Sequence, residues 1–246
     1  MISTSNKQKK ILIIGHRGAK NVAPENTLKS FKKAIELGAD FIEFDMHLSK
    51  DREIIIMHDE DISTITGKQG LIKNMTLEEL KKLDCGEGEK IPTLTEVIEI
   101  AKGKIGLQCE VKSQGLTEQL VKSLRANSLI DSSLISSFIF KELVQLRKIE
   151  PNLKIGLLLS DRLLSFKAMK KQIQKAIKEK FYSIHPFYKG IKRKIVKFIH
   201  ENNLKIIAWT VDSKAAMKRL IKIGVDGIIT NDISKAKEVI NQIQLD

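Results

Sequence analysis

Cysteine is scarce in this chain, and long apolar runs are missing. The two cysteines, Cys85 and Cys109, stand apart without paired spacing, so neither a disulfide framework nor a cysteine metal site is indicated. A reducing compartment is the default expectation. The first ten residues, Met1 to Lys10, are polar and basic, and the apolar run after them ends at Ile14, too short for a signal-peptide core. No later segment approaches the roughly 18 uninterrupted apolar residues of a membrane helix. These absences point to a soluble cytoplasmic protein. Acidic residues are also outnumbered: 30 Asp and Glu face 43 Lys and Arg, a formal net charge of +13. A basic surface attracts phosphate, whether on a small substrate, nucleic acid or an anionic membrane touched peripherally. Dispersed lysines such as those between Lys167 and Lys180 read most simply as a solvated helix face.

What is present is ordinary globular material, 42% hydrophobic and 30% charged over 246 residues, enough to bury a sizeable core. Apolar β-branched runs alternate with amphipathic segments, the mark of a parallel sheet wrapped by helices. Strands are expected near 10–15, 40–47, 104–111, 132–139, 153–159, 180–184, 204–209 and 225–230. Helices fill most gaps, near 26–37, 94–101, 115–126, 140–149, 165–178, 190–202, 213–222 and 233–243. Eight strand–helix units in about 250 residues have the size of an α/β (β/α)₈ TIM barrel. One domain over 1–246 is expected. The rhythm fails between about 48 and 92, where 53–57 reads as a short extra strand and 75–83 as a helix starting at Asn74 or Thr76. A small insertion, about 59–92, thus follows the second strand, on the face where barrel active sites form. It would either cover the pocket or be a loosely packed excursion.

Side chains alternate along a strand, so Glu43, Asp45 and His47 share one face of the second strand. Adjacent carboxylates in a barrel mouth repel and desolvate badly unless a cation neutralises them. Glu110 and Lys112 repeat the spacing at the end of the next barrel strand. Glu43, Asp45 and Glu110 would give an all-oxygen site suited to Mg²⁺ or Ca²⁺. His16, at the end of the first strand, and His58, after the extra strand, reach the same mouth and are the candidate general acid and base for displacement at phosphorus. Arg17 and Lys112 supply positive charge for a phosphodiester. His47 is a decoy beside the carboxylates, and His200 belongs to a surface helix. Gly15 and Gly18 let the backbone bend around His16, or merely end the strand. Asn26 or Thr27 caps the first helix, with Glu25 a second-layer partner of the metal site. Trp209, the one tryptophan, either walls the pocket against a glycerol-sized group or packs in the core. Thr230-Asn231-Asp232 most simply caps the last helix.

The ordered set His16-Arg17-Gly18, Pro24-Glu25-Asn26-Thr27, Glu43-x-Asp45, His58-Asp59, Glu110-x-Lys112, Trp209-Thr210-Val211-Asp212 and Asp226-Gly227-Ile228-Ile229-Thr230-Asn231 resembles the glycerophosphodiester phosphodiesterase family from about residue 11 to the C-terminus. Thr76-Leu77-Glu78-Glu79-Leu80 and Ile91-Pro92-Thr93-Leu94 match inside the insertion. The resemblance implies a barrel enzyme that uses a divalent metal to hydrolyse a small-molecule glycerophosphodiester to glycerol 3-phosphate and an alcohol such as choline or ethanolamine. It places metal on Glu43, Asp45 and Glu110, acid–base work on His16 and His58, and phosphate on Arg17 and Lys112. It further implies attack by the glycerol 2-hydroxyl, leaving a cyclic phosphate that water opens. The chain departs from the family in a shorter insertion, in Gln108 and Cys109 before Glu110, and in Asp232 where proline is frequent. Two other readings stand beside it: a lysophospholipase D acting on acylated substrates, and a non-catalytic phosphate or anionic-polymer binder. Nucleic acid is not the expected partner.

Overall fold

The computed structural model describes residues 10–163 and 165–245, so the N-terminal stretch read above lies outside it apart from Lys10. In chain order the strands are β1 (Leu12–Gly15), β2 (Phe41–Leu48), β3 (Ile54–Ile56), β4 (Gly106–Val111), β5 (Ser133–Ser137), β6 (Lys154–Leu159), β7 (Ser183–Pro186), β8 (Lys205–Ala208) and β9 (Gly227–Thr230). The helices are α1 (Leu28–Glu36), α2 (Ser63–Thr66), α3 (Leu77–Lys81), α4 (Leu94–Ala101), α5 (Thr117–Ala126), α6 (Phe140–Ile149), α7 (Phe166–Lys178), α8 (Arg193–Glu201), α9 (Lys214–Ile223) and α10 (Ile233–Leu245). Neighbours run β1-β9-β8-β7-β6-β5-β4-β2, and parallel pairing of β1 with β2 closes the ring into the expected eight-stranded barrel. β3 lies outside the ring, antiparallel to β2, with Met46 opposite Ile56.

Alternation sorts the two faces. Ile42, Phe44 and Met46 of β2 and Leu107, Cys109 and Val111 of β4 join the core between sheet and helices. Ile14, Leu134, Ile207 and Ile229 form a smaller cluster with Trp209 packed against it, on the opposite, lumen face of their strands. Helix starts follow capping chemistry. The Thr27 side chain accepts from the Ser30 amide, and Thr76 and Thr93 make full capping boxes with Glu79 and Glu96. Thr27 is therefore the cap of α1, which frees Asn26 for other work.

The expected strand at 180–184 begins later, at Ser183. The end of α7 consumes the preceding residues: Lys180 sits at φ 52°, and the Phe181 amide bonds back to the Ala176 carbonyl. The insertion is not a loose excursion. Ile55, Met57, Ile62, Ile72, Leu80, Leu83 and Ile91 bury one another in a core of its own. None of residues 59–92 lines the cleft in the barrel mouth.

Candidate active site

At the C-terminal end of the barrel His16, Arg17, Glu43, Asp45, His58, Glu110, Lys112 and Trp209 line one cleft of about 530 Å³, together with Gln108, Phe138, Leu158 and Ile229. All eight residues singled out from the sequence thus meet there. Register explains the acidic corner: Glu43 lies opposite Gln108 and Asp45 opposite Glu110 across the β2–β4 pair, so both rows point into the lumen.

Glu43, Asp45 and Glu110 are buried, and one oxygen from each lies within 4.8 Å of the others. Burial, with the neighbouring Asp45 charge next, pushes Glu43 well above the usual carboxylate range; the same two causes raise Glu110 to about 7. For Asp45 burial pushes upward too, but Lys112 and Arg17 outweigh it and hold the carboxyl below its ordinary value. Lys112 Nζ stands 3.5 Å from Asp45 and 3.2 Å from Glu110, and Arg17 Nε stands 3.4 Å from Asp45. Two of the three acids therefore resist ionisation on protein cations alone. Glu110 Oε1 is buried and receives no hydrogen bond of good geometry. Converging hard oxygens, two of them on acids that the protein's own cations leave hard to ionise, fit a divalent cation.

The turn after β1 is shaped around this corner. Gly18 has φ 86°, and a Cβ there would meet Ser30 Oγ at 2.4 Å, so both backbone freedom and close approach require glycine. The turn aims the Arg17 amide at Glu43 Oε2, 2.9 Å away, while the Arg17 guanidinium donates to Glu25 at 2.6 Å. Glu25 thus acts through Arg17 and Lys20, with which it also pairs, rather than beside the carboxylates. Asn26, at φ 55°, donates its amide to Asp45 Oδ2 at 2.9 Å.

Both candidate catalytic histidines are held through Nδ1. His16 Nδ1 lies 2.8 Å from Asn231 Oδ1. The Asn231 amide nitrogen donates to the Asp212 carboxylate at 2.7 Å, so its oxygen must face His16, and the shared proton belongs to Nδ1. His58 Nδ1 lies 2.7 Å from Asp59 Oδ1, a carboxylate that can only accept when ionised. Each ring therefore keeps Nε2 free of these partners. Burial, then the Arg17 charge, lowers His16 to about 4, which makes it neutral near pH 7; burial lowers His58 as well. His47 is no bystander: its Nε2 donates to the His58 carbonyl at 3.0 Å and its Nδ1 meets Ser113 Oγ at 2.8 Å. His200, on α8 as expected, pairs with Asp226 at 2.7 Å.

The far wall is apolar. Trp209 Nε1 donates to the His185 carbonyl at 2.8 Å, and the indole meets Phe138 edge-on at 5.6 Å and Phe187 at 5.4 Å. Asn26, His47, Gln108, Asn231 and Asp212 were not singled out as functional from the sequence. Asn26, Asn231 and Asp212 do stand inside the quoted motifs, and that was the one signal for them.

The glycerophosphoryl diester phosphodiesterase family model matches residues 16–235. A glycerophosphodiester phosphodiesterase of Caldanaerobacter subterraneus subsp. tengcongensis is 42% identical over 236 residues, covering 91% of this chain and 95% of that one. One from Bacillus subtilis is 33% identical, over 90% of this chain and 84% of its own. Among solved structures, an Oleispira antarctica phosphodiesterase in complex with the product sn-glycerol-3-phosphate superposes with a TM-score of 0.85 at 29% identity, covering 94% of this chain and 96% of that one. A Silicibacter pomeroyi structure at 21% identity and TM-score 0.88, covering 96% of this chain and 95% of that one, shows the same fold. Fold, motif order and kinship agree: the chain belongs to the glycerophosphoryl diester phosphodiesterase family and is a TIM-barrel phosphodiesterase.

Proposed function

We propose that this chain, acting as one barrel domain, hydrolyses glycerophosphodiesters to glycerol 3-phosphate and an alcohol in a metal-dependent, two-histidine reaction. The observation that carries the reading is the meeting of two Nδ1-anchored histidines with three buried carboxylates in one cleft. The product bound to the Oleispira neighbour supports glycerol 3-phosphate. Glu43, Asp45 and Glu110 would hold a divalent cation, Mg²⁺ or Ca²⁺ by donor chemistry. When bound, such an ion supplies charge neutralisation at the phosphodiester oxygens.

The chain's own groups divide the remaining work. Arg17 and Lys112 hold the phosphate and offset the negative charge that builds on it. His16, neutral and with Nε2 bare, takes the proton from the glycerol 2-hydroxyl as its oxygen bonds to phosphorus. His58, whose imidazolium is supported by Asp59, gives a proton to the alcohol oxygen as its bond to phosphorus breaks. In the second half water opens the cyclic phosphate with the roles exchanged. Trp209 walls the glycerol side, and buried Gln108, whose Oε1 has no partner, offers an acceptor to a substrate hydroxyl.

The test is incubation with glycerophosphocholine and glycerophosphoethanolamine, with Mg²⁺, Ca²⁺ or EDTA, following glycerol 3-phosphate. Metal-dependent release is expected, and His16→Ala and His58→Ala should each abolish it in a folded protein. No release from either diester with either metal overturns the reading. The exposed Phe138 beside Trp209 favours one second reading, activity on lysophosphatidylcholine, which would then exceed that on the deacylated diester.

A further inference from the structure

The excess charge is concentrated. Residues 162–200 hold twelve lysines and arginines against Glu179 alone, so these 39 residues carry +11 of the chain's +13. They build α7, with five lysines and no acid, and α8, with Arg193, Lys194 and Lys197. The two helices lie side by side, with Phe166 edge-on to Phe198 at 5.9 Å. Except for half-buried Lys170, every one of the twelve is exposed. Several lysines elsewhere have acidic partners, as in Lys29–Glu87, Lys73–Glu60, Lys81–Glu96 and Lys214–Glu238. Among the described residues this cluster's one ion pair is the long Lys197–Glu201 contact, at 3.7 Å.

We infer that the α7–α8 face docks on membranes that contain anionic lipid. Uncompensated like charges repel one another, and a polyanionic surface relieves that repulsion while releasing its counterions. Three features favour a lipid surface over nucleic acid. Ten of the twelve cations are lysines, suited to diffuse attraction rather than to bidentate grip on single phosphates. Three phenylalanine rings on this side are covered by ammonium groups rather than bare for stacking with bases: Lys170 Nζ sits 5.2 Å over Phe198, Lys194 Nζ 5.0 Å over Phe166 and Lys175 Nζ 5.6 Å over Phe140. The face also runs into the catalytic end. Arg162, Lys189 and Lys192 lie in the loops after β6 and β7, and Phe138, 44% exposed, stands on the adjoining β5 loop as an apolar side chain able to enter the headgroup layer.

Charge on the other side of the mouth has the opposite sign. The insertion follows β2 and β3, and β2 stands across the ring from β7; residues 59–92 hold five lysines against eight acids. The barrel is therefore a dipole that would meet an acidic membrane with the α7–α8 side first, leaving the cleft mouth beside the lipid.

The experiment is vesicle flotation of the whole chain, read without any turnover, so its failure is separate from failure of the proposed hydrolysis. The vesicles are phosphatidylcholine alone, or with about 30% phosphatidylglycerol, at about 50 mM and about 500 mM NaCl. One variant reverses K167E, K171E, K192E and R193E; a control of equal net charge reverses K32E, K122E, K218E and K222E on other helices. Expected is binding of wild type and control to the anionic vesicles at low salt only, and an about tenfold or greater loss of the bound fraction in the α7–α8 variant at an unchanged melting temperature. The inference is overturned by no binding to anionic vesicles at low salt, by equal loss in both variants, or by duplex DNA at equal phosphate stripping the protein from vesicles.

Discussion

Asn26 holds Asp45 from a left-handed backbone position: at φ 55° its side-chain amide donates to Asp45 Oδ2 at 2.9 Å. The arrangement aims one acid of the buried trio and satisfies one of its oxygens. Asn26→Gly keeps the backbone conformation and deletes the amide. It should weaken divalent-metal affinity by about 10–100-fold with little loss of melting temperature, as titration calorimetry would read. Asn26→Ala should show the same metal defect and an added loss of about 1–2 kcal/mol, because a Cβ is strained at that φ. Equal stability of the two variants would contradict the strain argument.

Asn231 selects the His16 tautomer through the chain His16–Asn231–Asp212. Asn231→Leu removes the acceptor for Nδ1–H and lets the ring turn or change tautomer. The expected outcome is a fall in kcat of at least about tenfold with a much smaller change in KM, since the loss falls on proton transfer rather than binding. A change confined to KM would assign Asn231 to substrate contact instead.

Most of the fold was legible because each layer left a separate signature. α4 and α6 fall at the expected 94–101 and 140–149, α4 marked by the Thr93–Glu96 capping box as well as by apolar spacing and α6 by apolar spacing alone. Strand β7 begins later than expected because Phe181 and Tyr182 look like strand residues, whereas the α7 terminus claims Lys180 and Phe181 through local hydrogen bonds to the Ile177 and Ala176 carbonyls. Seven of the eight candidate site residues were readable because ionisable side chains on or just past strands converge on the barrel mouth, where such a fold keeps its chemistry, and Trp209 because it follows the end of β8. Asn231 and Asn26 were hidden because capping accounts for either in sequence, and only the fold sets one against His16 and the other against Asp45. The insertion's own core was invisible for a similar reason: Ile55, Ile72 and Ile91 are too far apart in sequence to show a period.

His185 is wholly buried in the lumen. Its Nε2 meets Ser183 Oγ at 2.8 Å, and Gly156 leaves the space that its ring fills. Burial depresses its pKa to about 3, so the folded state binds fewer protons than the unfolded chain once pH falls below the ordinary histidine value. Stability from this group is thus fully present above about pH 6.5 and is lost as pH falls towards 3. Two-state linkage puts the loss near 2 kcal/mol by pH 5. Denaturant melts of wild type and His185→Gln at pH 7 and pH 5 should show a smaller pH-dependent loss in the variant. Identical pH dependence would mean that His185 is not the titrating group.

His47 completes the catalytic end by carrying the main chain of His58. A carbonyl can only accept, so His47 Nε2 is the donor to the His58 oxygen at 3.0 Å, and Nδ1 is left to accept from the Ser113 hydroxyl at 2.8 Å. Burial, the largest influence on His47, lowers its pKa and favours this neutral form. His47→Leu fills much of the volume but strands the His58 carbonyl and the Ser113 hydroxyl, at a cost of about 1–3 kcal/mol in stability. It should also lower kcat, because His58 loses the bond that fixes its backbone. His47→Gln retains a side-chain N–H that can reach the same carbonyl and should recover part of both. A general packing role would instead let leucine match or exceed glutamine in stability, so the order of the two variants in melting temperature and in kcat decides whether the hydrogen bond or the bulk of His47 positions His58.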